Sequence, residues 1–154
     1  MNLPSKPIIT ICSSAAFYKQ AVAVQEQLQK LGVTTVLPYT AEKMKQSNDF
    51  DVSHYKTWYE NENDYHKKAA LMQGHFDKIA AGDAILVLNY EKHGRAHYIG
   101  PNVLMEMALA FYLKKPIFVL NELPSDSPFE EELKGLMPVV LHGDAKALLA
   151  ELGK

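Results

Sequence analysis

Apolar residues run along this chain in short blocks whose spacing alternates between the two periods of regular structure. Residues 7–12 (PIITIC) form a β-branched run. After Ser13-Ser14, the positions Ala16, Ala23, Val24, Leu28 and Leu31 recur at helical spacing, and Gly32 closes that helix. Residues 33–37 (VTTVL) read as a second strand ended by Pro38, which completes a strand–helix–strand unit of the length a right-handed crossover needs. Residues 65–81 are helical, with Ala69, Met72, Phe76 and Ile79 on one side and Gly82 at the end. Residues 83–89 (DAILVLN) are almost continuously apolar, as in a central strand covered on both faces. The run 103–113 (VLMEMALAFYL) follows as a helix and passes over Lys115-Pro116 to another buried strand, 117–120 (IFVL). A short acidic helix over 129–136, a last strand around 138–141 and a terminal helix from Asp144 complete the chain. Five strands alternating with helices predict an α/β fold: a doubly wound sandwich with a five-stranded parallel sheet.

Between these blocks, residues 41–64 (AEKMKQSNDFDVSHYKTWYENEND) are polar and carry no sustained apolar period. A segment of that length inside a domain reads as a functional loop or lid, or else as disordered. Within it Tyr55, Trp58 and Tyr59 have the i, i+3, i+4 spacing of one helical face. They serve either as a small cluster that pins the loop or as a stacking wall for a planar ligand.

Composition narrows the partners. At 154 residues and 47% hydrophobic content, one domain with one filled core is expected. The 16 basic and 18 acidic residues leave a net charge of −2, too weak a field to recruit a nucleic-acid polymer or an anionic membrane surface. Arg95 is the sole arginine, so any phosphate would rely on backbone N–H groups, hydroxyls or lysine. Cys12 is the sole cysteine, which excludes an intrachain disulfide and a cysteine-based zinc cluster and fits a reducing, cytoplasmic location. Residues 1–6 carry no secretory pattern, and no apolar run reaches the roughly 20 residues of a membrane span.

Glu106 is the one charge in residues 103–113, and that helix opens directly after Tyr98-Ile99-Gly100-Pro101-Asn102. Burying an isolated carboxylate costs on the order of several kcal/mol unless partners or a function hold it. Glu106 therefore either occupies a narrow solvent stripe or is a reactive carboxylate near a helix start. Ligands of doubly wound sheets bind beyond the carboxyl ends of the strands. That edge collects Ser13, Ser14, Tyr39, Asn89, Gly100 to Asn102 and Asn121. Gly100 permits close backbone approach, Pro101 suits a first helical turn, and free N–H groups there suit an anion. Asn102 and Glu106, four apart, share a helical face. Asp83, just before the central strand, reads as a cap.

Absent motifs exclude other chemistries. The chain has no G-x-G-x-x-G after the first strand, no phosphate-loop signature, no H-E-x-x-H pair and no G-x-S-x-G elbow. Its six histidines lack ligand spacing, so no metal is expected. A flavin-carrying electron shuttle needs a hydroxyl-rich loop after strand one, and Ser13-Ser14-Ala15-Ala16-Phe17 offers too little of one. No cofactor is expected.

The order Cys12-Ser13-Ser14, then 75–89 (HFDKIAAGDAILVLN), then 98–120 (YIGPNVLMEMALAFYLKKPIFVL) resembles the nucleoside 2-deoxyribosyltransferase superfamily, which includes the 2′-deoxynucleoside 5′-monophosphate N-hydrolases. The resemblance spans nearly the whole chain and is distinctive over 83–120. It implies a flavodoxin-like, Rossmann-like fold and a nucleophile in a motif of glycine, a few residues, glutamate, two small residues and KPI. Gly100, Glu106, Ala108, Ala110 and Lys115-Pro116-Ile117 occupy those places, so Glu106 is the implied nucleophile. Its carboxylate would attack C1′ of a deoxyribose as the base leaves, and water or a second base would resolve the glycosyl-enzyme. Members commonly place an aspartate in the helix before the central strand. An ungapped reading puts His75 there, with Asp77 two residues on, and His75 is then either an acid for the leaving base or a surface histidine. Ser13 and Ser14 would contact sugar or phosphate, and Asn89, Gly100 and Asn102 complete the substrate-binding set. The implied partners are a small nucleoside or nucleotide and a second copy of the chain in a homodimer or larger homo-oligomer. A non-catalytic nucleotide-binding or interaction module on the same fold is the alternative.

Overall fold

A computed structural model describes residues 6–154 of the chain. The expectation that no targeting leader precedes strand one rests largely on residues 1–5, outside the described residues. In chain order the elements are β1 (Ile8–Ser13), α1 (Tyr18–Lys30), β2 (Thr34–Val36), α2 (Tyr39–Ser47), α3 (Tyr65–Ala81), β3 (Ala84–Leu88), α4 (Pro101–Tyr112), β4 (Ile117–Val119), α5 (Glu130–Gly135), β5 (Val139–Val140) and α6 (Ala147–Leu152). The sheet is parallel throughout, in the order β2-β1-β3-β4-β5. This is the doubly wound, flavodoxin-like α/β arrangement that the alternation predicted. The strand order reverses between β1 and β3, where Cys12 pairs with Val87 and Ser13 with Leu88.

Alternate side chains of each strand enter opposite cores, because successive strand residues point to opposite faces. Ile9, Ile11, Leu86, Leu88 and Phe118 pack with Ala21, Val24 and Leu28 of α1 and Leu148 of α6. Cys12, Ile85, Val87, Ile117 and Val119 pack with Ile79 of α3, Val103, Met107 and Ala110 of α4, and Leu133 of α5. β3 is buried along its whole length, which explains its continuous apolar sequence.

Several elements differ from the sequence expectation for local reasons. A 3-10 turn over Ala15–Phe17 precedes α1, so the helix starts later than Ser13-Ser14 suggested, and its buried stripe is Ala21, Val24, Gln25 and Leu28. Ala16, Ala23 and Leu31 are exposed. α3 has the predicted bounds, but it buries His75 and Ile79 while Ala69 faces out. Gly82 after α3 is extended (φ −83°, ψ 178°); a Cβ there would meet Thr10 Oγ1 at 2.9 Å, so the glycine serves the close approach of α3 to β1. Lys115 donates from Nζ to the carbonyls of Ile79, Ala80 and Gly82, which gives the Lys-Pro-Ile segment a role as the cap of α3. β5 is only two residues long, set between positive φ angles at Met137 and at His142-Gly143.

The segment 41–64 is not an unstructured lid. Most of its first third is α2, anchored by buried Ala41 and Met44, and it continues through 3-10 turns at Val52–His54 and Glu62–Asp64. Tyr55, Trp58 and Tyr59 do not share a helical face, because the chain leaves the first turn at Tyr55 and bends again at Trp58. Among the described residues no helix is long and apolar enough to cross a membrane.

Candidate active site

A cavity of about 300 Å³ opens above the β1/β3 reversal point. Its floor is Ser13, Ser14, Tyr18, His75 and Glu106, one side is the start of α4 from Gly100 to Val103, and α2 with the following turns makes the opposite wall. Tyr55, Trp58 and Tyr59 all line it. Trp58 is buried and Tyr59 exposed, so the aromatic group both pins the segment and walls the cavity.

Three elements bring the chemistry together. Cys12 comes from β1, His75 from the buried stripe of α3, and Glu106 from the second turn of α4. Cys12 Sγ lies 3.5 Å from His75 Nε2, and His75 Nε2 lies 3.7 Å from Glu106 Oε2. The His75 and Glu106 side chains are 7% and 14% exposed, and Glu106 Oε2 has no hydrogen-bond partner. Burial pushes the Glu106 carboxyl up to about 8, against the opposing pull of its contact with Cys12 and the charge of Lys68. Burial, aided by the nearby Lys78 charge, lowers His75 to about 4. Burial first, and then the charge of Glu106, raises both the Cys12 thiol and the Tyr18 hydroxyl well above their ordinary values. Near neutral pH the ligand-free floor thus holds a neutral imidazole beside a largely protonated carboxyl group.

The donor atoms of Cys12, His75 and Glu106 lie within 4.8 Å of one another. A thiolate, an imidazole and a carboxylate at that spacing could take a borderline metal such as zinc. The histidine spacing in sequence gave no sign of this, since each donor comes from a different element.

The predicted site residues separate into two groups. Ser13, Ser14, His75, Gly100, Asn102 and Glu106 line the cavity, with Tyr39 at its rim. A Cβ at Gly100 would meet the Tyr98 ring, its hydroxyl at 2.9 Å, so any side chain there would displace that ring. Among the described residues no side chain caps the first turn of α4, and Gly100 to Val103 at that helix start line the cavity. His75 is not a surface residue, and its lowered pKa removes it as an acid near neutral pH. Asp77, by contrast, is exposed, accepts from Gln73 Nε2 at 3.0 Å and does not line the cavity. Asn89 is also outside. It is fully buried, its Nδ2 donates to the carbonyls of Asn121 and Glu122, and its Oδ1 accepts from Asn121 N–H at 2.9 Å. Its amide holds the end of β4 against β3 and is spent on the fold. Asp83 accepts Ile8 N–H at 2.8 Å, so it takes a backbone bond as expected, but from the start of β1 and not from its own turn.

Sequence reading missed Tyr18, Lys56, Lys68, Lys92 and Tyr98, which also line the cavity. Lys92 sits on a tight turn whose two central residues, His93 and Gly94, have positive φ, with Lys92 and Arg95 exchanging both backbone bonds. That turn aims Lys92 Nζ at Ser14 Oγ, 3.0 Å away, and over the Tyr98 ring. The local signal was His93-Gly94, a hairpin-turn dipeptide in an apparently irregular loop.

No protein-family model and no curated protein matches the chain. The functional reading therefore rests on the residues and their geometry.

Proposed function

We propose that the protein cleaves or exchanges the N-glycosidic bond of 2′-deoxynucleosides or their 5′-monophosphates, with Glu106 as the nucleophile. The observation that carries this is the placement of Glu106: a nearly buried carboxyl, one oxygen of which has no hydrogen bond among the described residues, on the floor of a cavity at the strand-order reversal and one turn from an uncapped helix start. The ionised carboxylate attacks C1′, the C1′–N bond breaks with its electron pair leaving on the base, and a covalent glycosyl-enzyme forms. Water, whose proton ends on the released base, or a second base, whose N–H proton does the same, then attacks C1′ from the opposite face, regenerating the carboxylate with net retention. His75 stays neutral and positions the carboxylate from 3.7 Å. The aromatic wall of Tyr55, Trp58 and Tyr59 supplies planar surface for the base.

The nucleophile must be ionised, and its folded pKa is raised to about 8. Base release per enzyme, kcat/KM, is therefore expected to climb with pH and level off above about 8. Chromatographic assay of base release and base exchange over a panel of deoxynucleosides and their monophosphates tests the proposal directly. Glu106→Gln should lower turnover on the order of 10³-fold or more with the fold retained. One observation favours a second reading: a carboxyl held protonated near neutral pH is a hydrogen-bond donor suited to recognition without turnover. In that case nucleotides bind, wild type releases no base, and binding weakens above pH 8.

The same proposal includes a homodimer through α4. Met105, Ala108, Phe111 and Tyr112 lie exposed on that helix, and Met105 also lines the cavity. A second copy seated there would close the cavity rim, and sedimentation analysis should give a dimer that Tyr112→Glu dissociates.

A further inference from the structure

Three cations face the cavity. Lys56, Lys68 and Lys92 all line it, while among the described residues Glu106 is its only acidic lining residue. Among the described residues none of the three takes part in a salt bridge, although Lys67, Lys134 and Lys154 do. Lys92 is held on Ser14 Oγ and over Tyr98, and Lys68 sits 5.4 Å above the Trp58 ring. Each lysine comes from a different part of the chain: Lys56 from the turns after α2, Lys68 from the first turn of α3, Lys92 from the hairpin turn. The three are close enough that burial and then the charges of Lys92 and Lys68 lower the pKa of Lys56.

In a chain of net charge −2, bringing like charges together around a half-buried cavity costs free energy unless an anion joins them. Ser14 adds a hydroxyl, and the uncapped start of α4 lines the same cavity. Near neutral pH a phosphomonoester carries a charge between about −1.5 and −2, with three acceptor oxygens, which suits several lysines better than the single charge of a carboxylate. At about 300 Å³ the cavity is at the small end of ligand sites, a size that suits a base, a sugar and one phosphate.

We infer that Lys56, Lys68 and Lys92, with Ser14, form a cradle for the phosphate of a sugar monophosphate, so that the substrate is a deoxynucleoside 5′-monophosphate and not the free nucleoside. This rests on the proposed function for the identity of the sugar and base, but the cradle itself is independent of any turnover. The cradle is also built from lysine, as a chain with a single arginine requires.

Calorimetric titration with 2-deoxyribose 5-phosphate, 2-deoxyribose and inorganic phosphate tests the cradle without relying on catalysis. The wild-type protein and Glu106→Gln should both bind the sugar phosphate at least tenfold more tightly than the sugar, with affinity falling as salt rises. Lys56→Gln, Lys68→Gln and Lys92→Gln should each lose about five- to tenfold of that preference, Lys92→Arg should keep most of it, and the remote Lys134→Gln should keep all of it. Inorganic phosphate binding that the three lysine variants weaken supports the cradle as a phosphate site in its own right. Equal affinity for sugar and sugar phosphate, or a preference untouched by all three substitutions, overturns it. Phosphate preference with no base release from any nucleotide would leave the cradle intact and remove the glycosidic function. Base release from free nucleosides as fast as from monophosphates would do the reverse.

Discussion

The two faces of the sheet are built from the same strands but to different standards of closure. On the α1/α6 face the clustered core is aliphatic and aromatic, and the polar side chains buried beside it, Gln25 and Thr35, do not line the cavity. On the α3/α4 face the core runs up to Cys12, His75 and Glu106, where a carboxyl oxygen is left without a hydrogen bond next to a cavity. The first face stabilises the fold, whereas the second holds ionisable groups in a state that burial disfavours. Polar groups left unsatisfied beside a cavity cost stability, and this contrast is what makes the α3/α4 face the candidate site.

The contrast can be broken from the stable side first. Leu86→Ala, at a fully buried position of the α1/α6 core, should destabilise by about 2–5 kcal/mol in denaturant titration. On the other face, Glu106→Gln should do the opposite at alkaline pH. The folded pKa of Glu106 is raised from 4.5 to about 8, so its stabilising contribution is complete below 4.5 and is lost as pH rises through 8. Against wild type, the glutamine variant should thus gain about 5 kcal/mol at pH 9 and nothing at pH 4. A constant difference across that range would mean that Glu106 is not buried as described. His75 has the reverse sign, since its pKa is lowered to about 4: wild-type stability should fall as pH drops from 6.5 toward 4.

Smaller effects sharpen the roles of single residues. His75→Asn should lower kcat about tenfold with KM little changed, as expected of a residue that orients Glu106 and does not hold substrate. A rise in KM with kcat intact would make His75 a binding residue. Lys115→Met removes the ammonium that caps the last carbonyls of α3 and should cost about 1–2 kcal/mol in thermal unfolding without altering substrate preference.

Much of the frame was legible because burial on two sides writes itself into sequence. β3 has no polar residue between Asp83 and Asn89, and α3 could be bounded by its period and by Gly82. Glu106 was legible as a lone charge in an apolar helix. α2 was not, because a nine-residue helix that buries only Ala41 and Met44 has too short a stripe to display a period. Asn89 was misplaced because an asparagine at a strand end looks the same whether its amide meets a ligand or, as here, the backbone of the next strand. The lysines were invisible for a different reason. Lys56, Lys68 and Lys92 resemble ordinary solvated charges in sequence, and only the packing of three separate elements makes them neighbours.

The most direct test of Glu106 as nucleophile is peptide mapping by mass spectrometry after rapid acid quench of wild-type protein turning over a deoxynucleoside 5′-monophosphate. A deoxyribosyl phosphate adduct on the peptide containing Glu106, absent from Glu106→Gln, is the expected result. Base release that continues unchanged in Glu106→Gln, with no adduct on any peptide of the wild type, would contradict it.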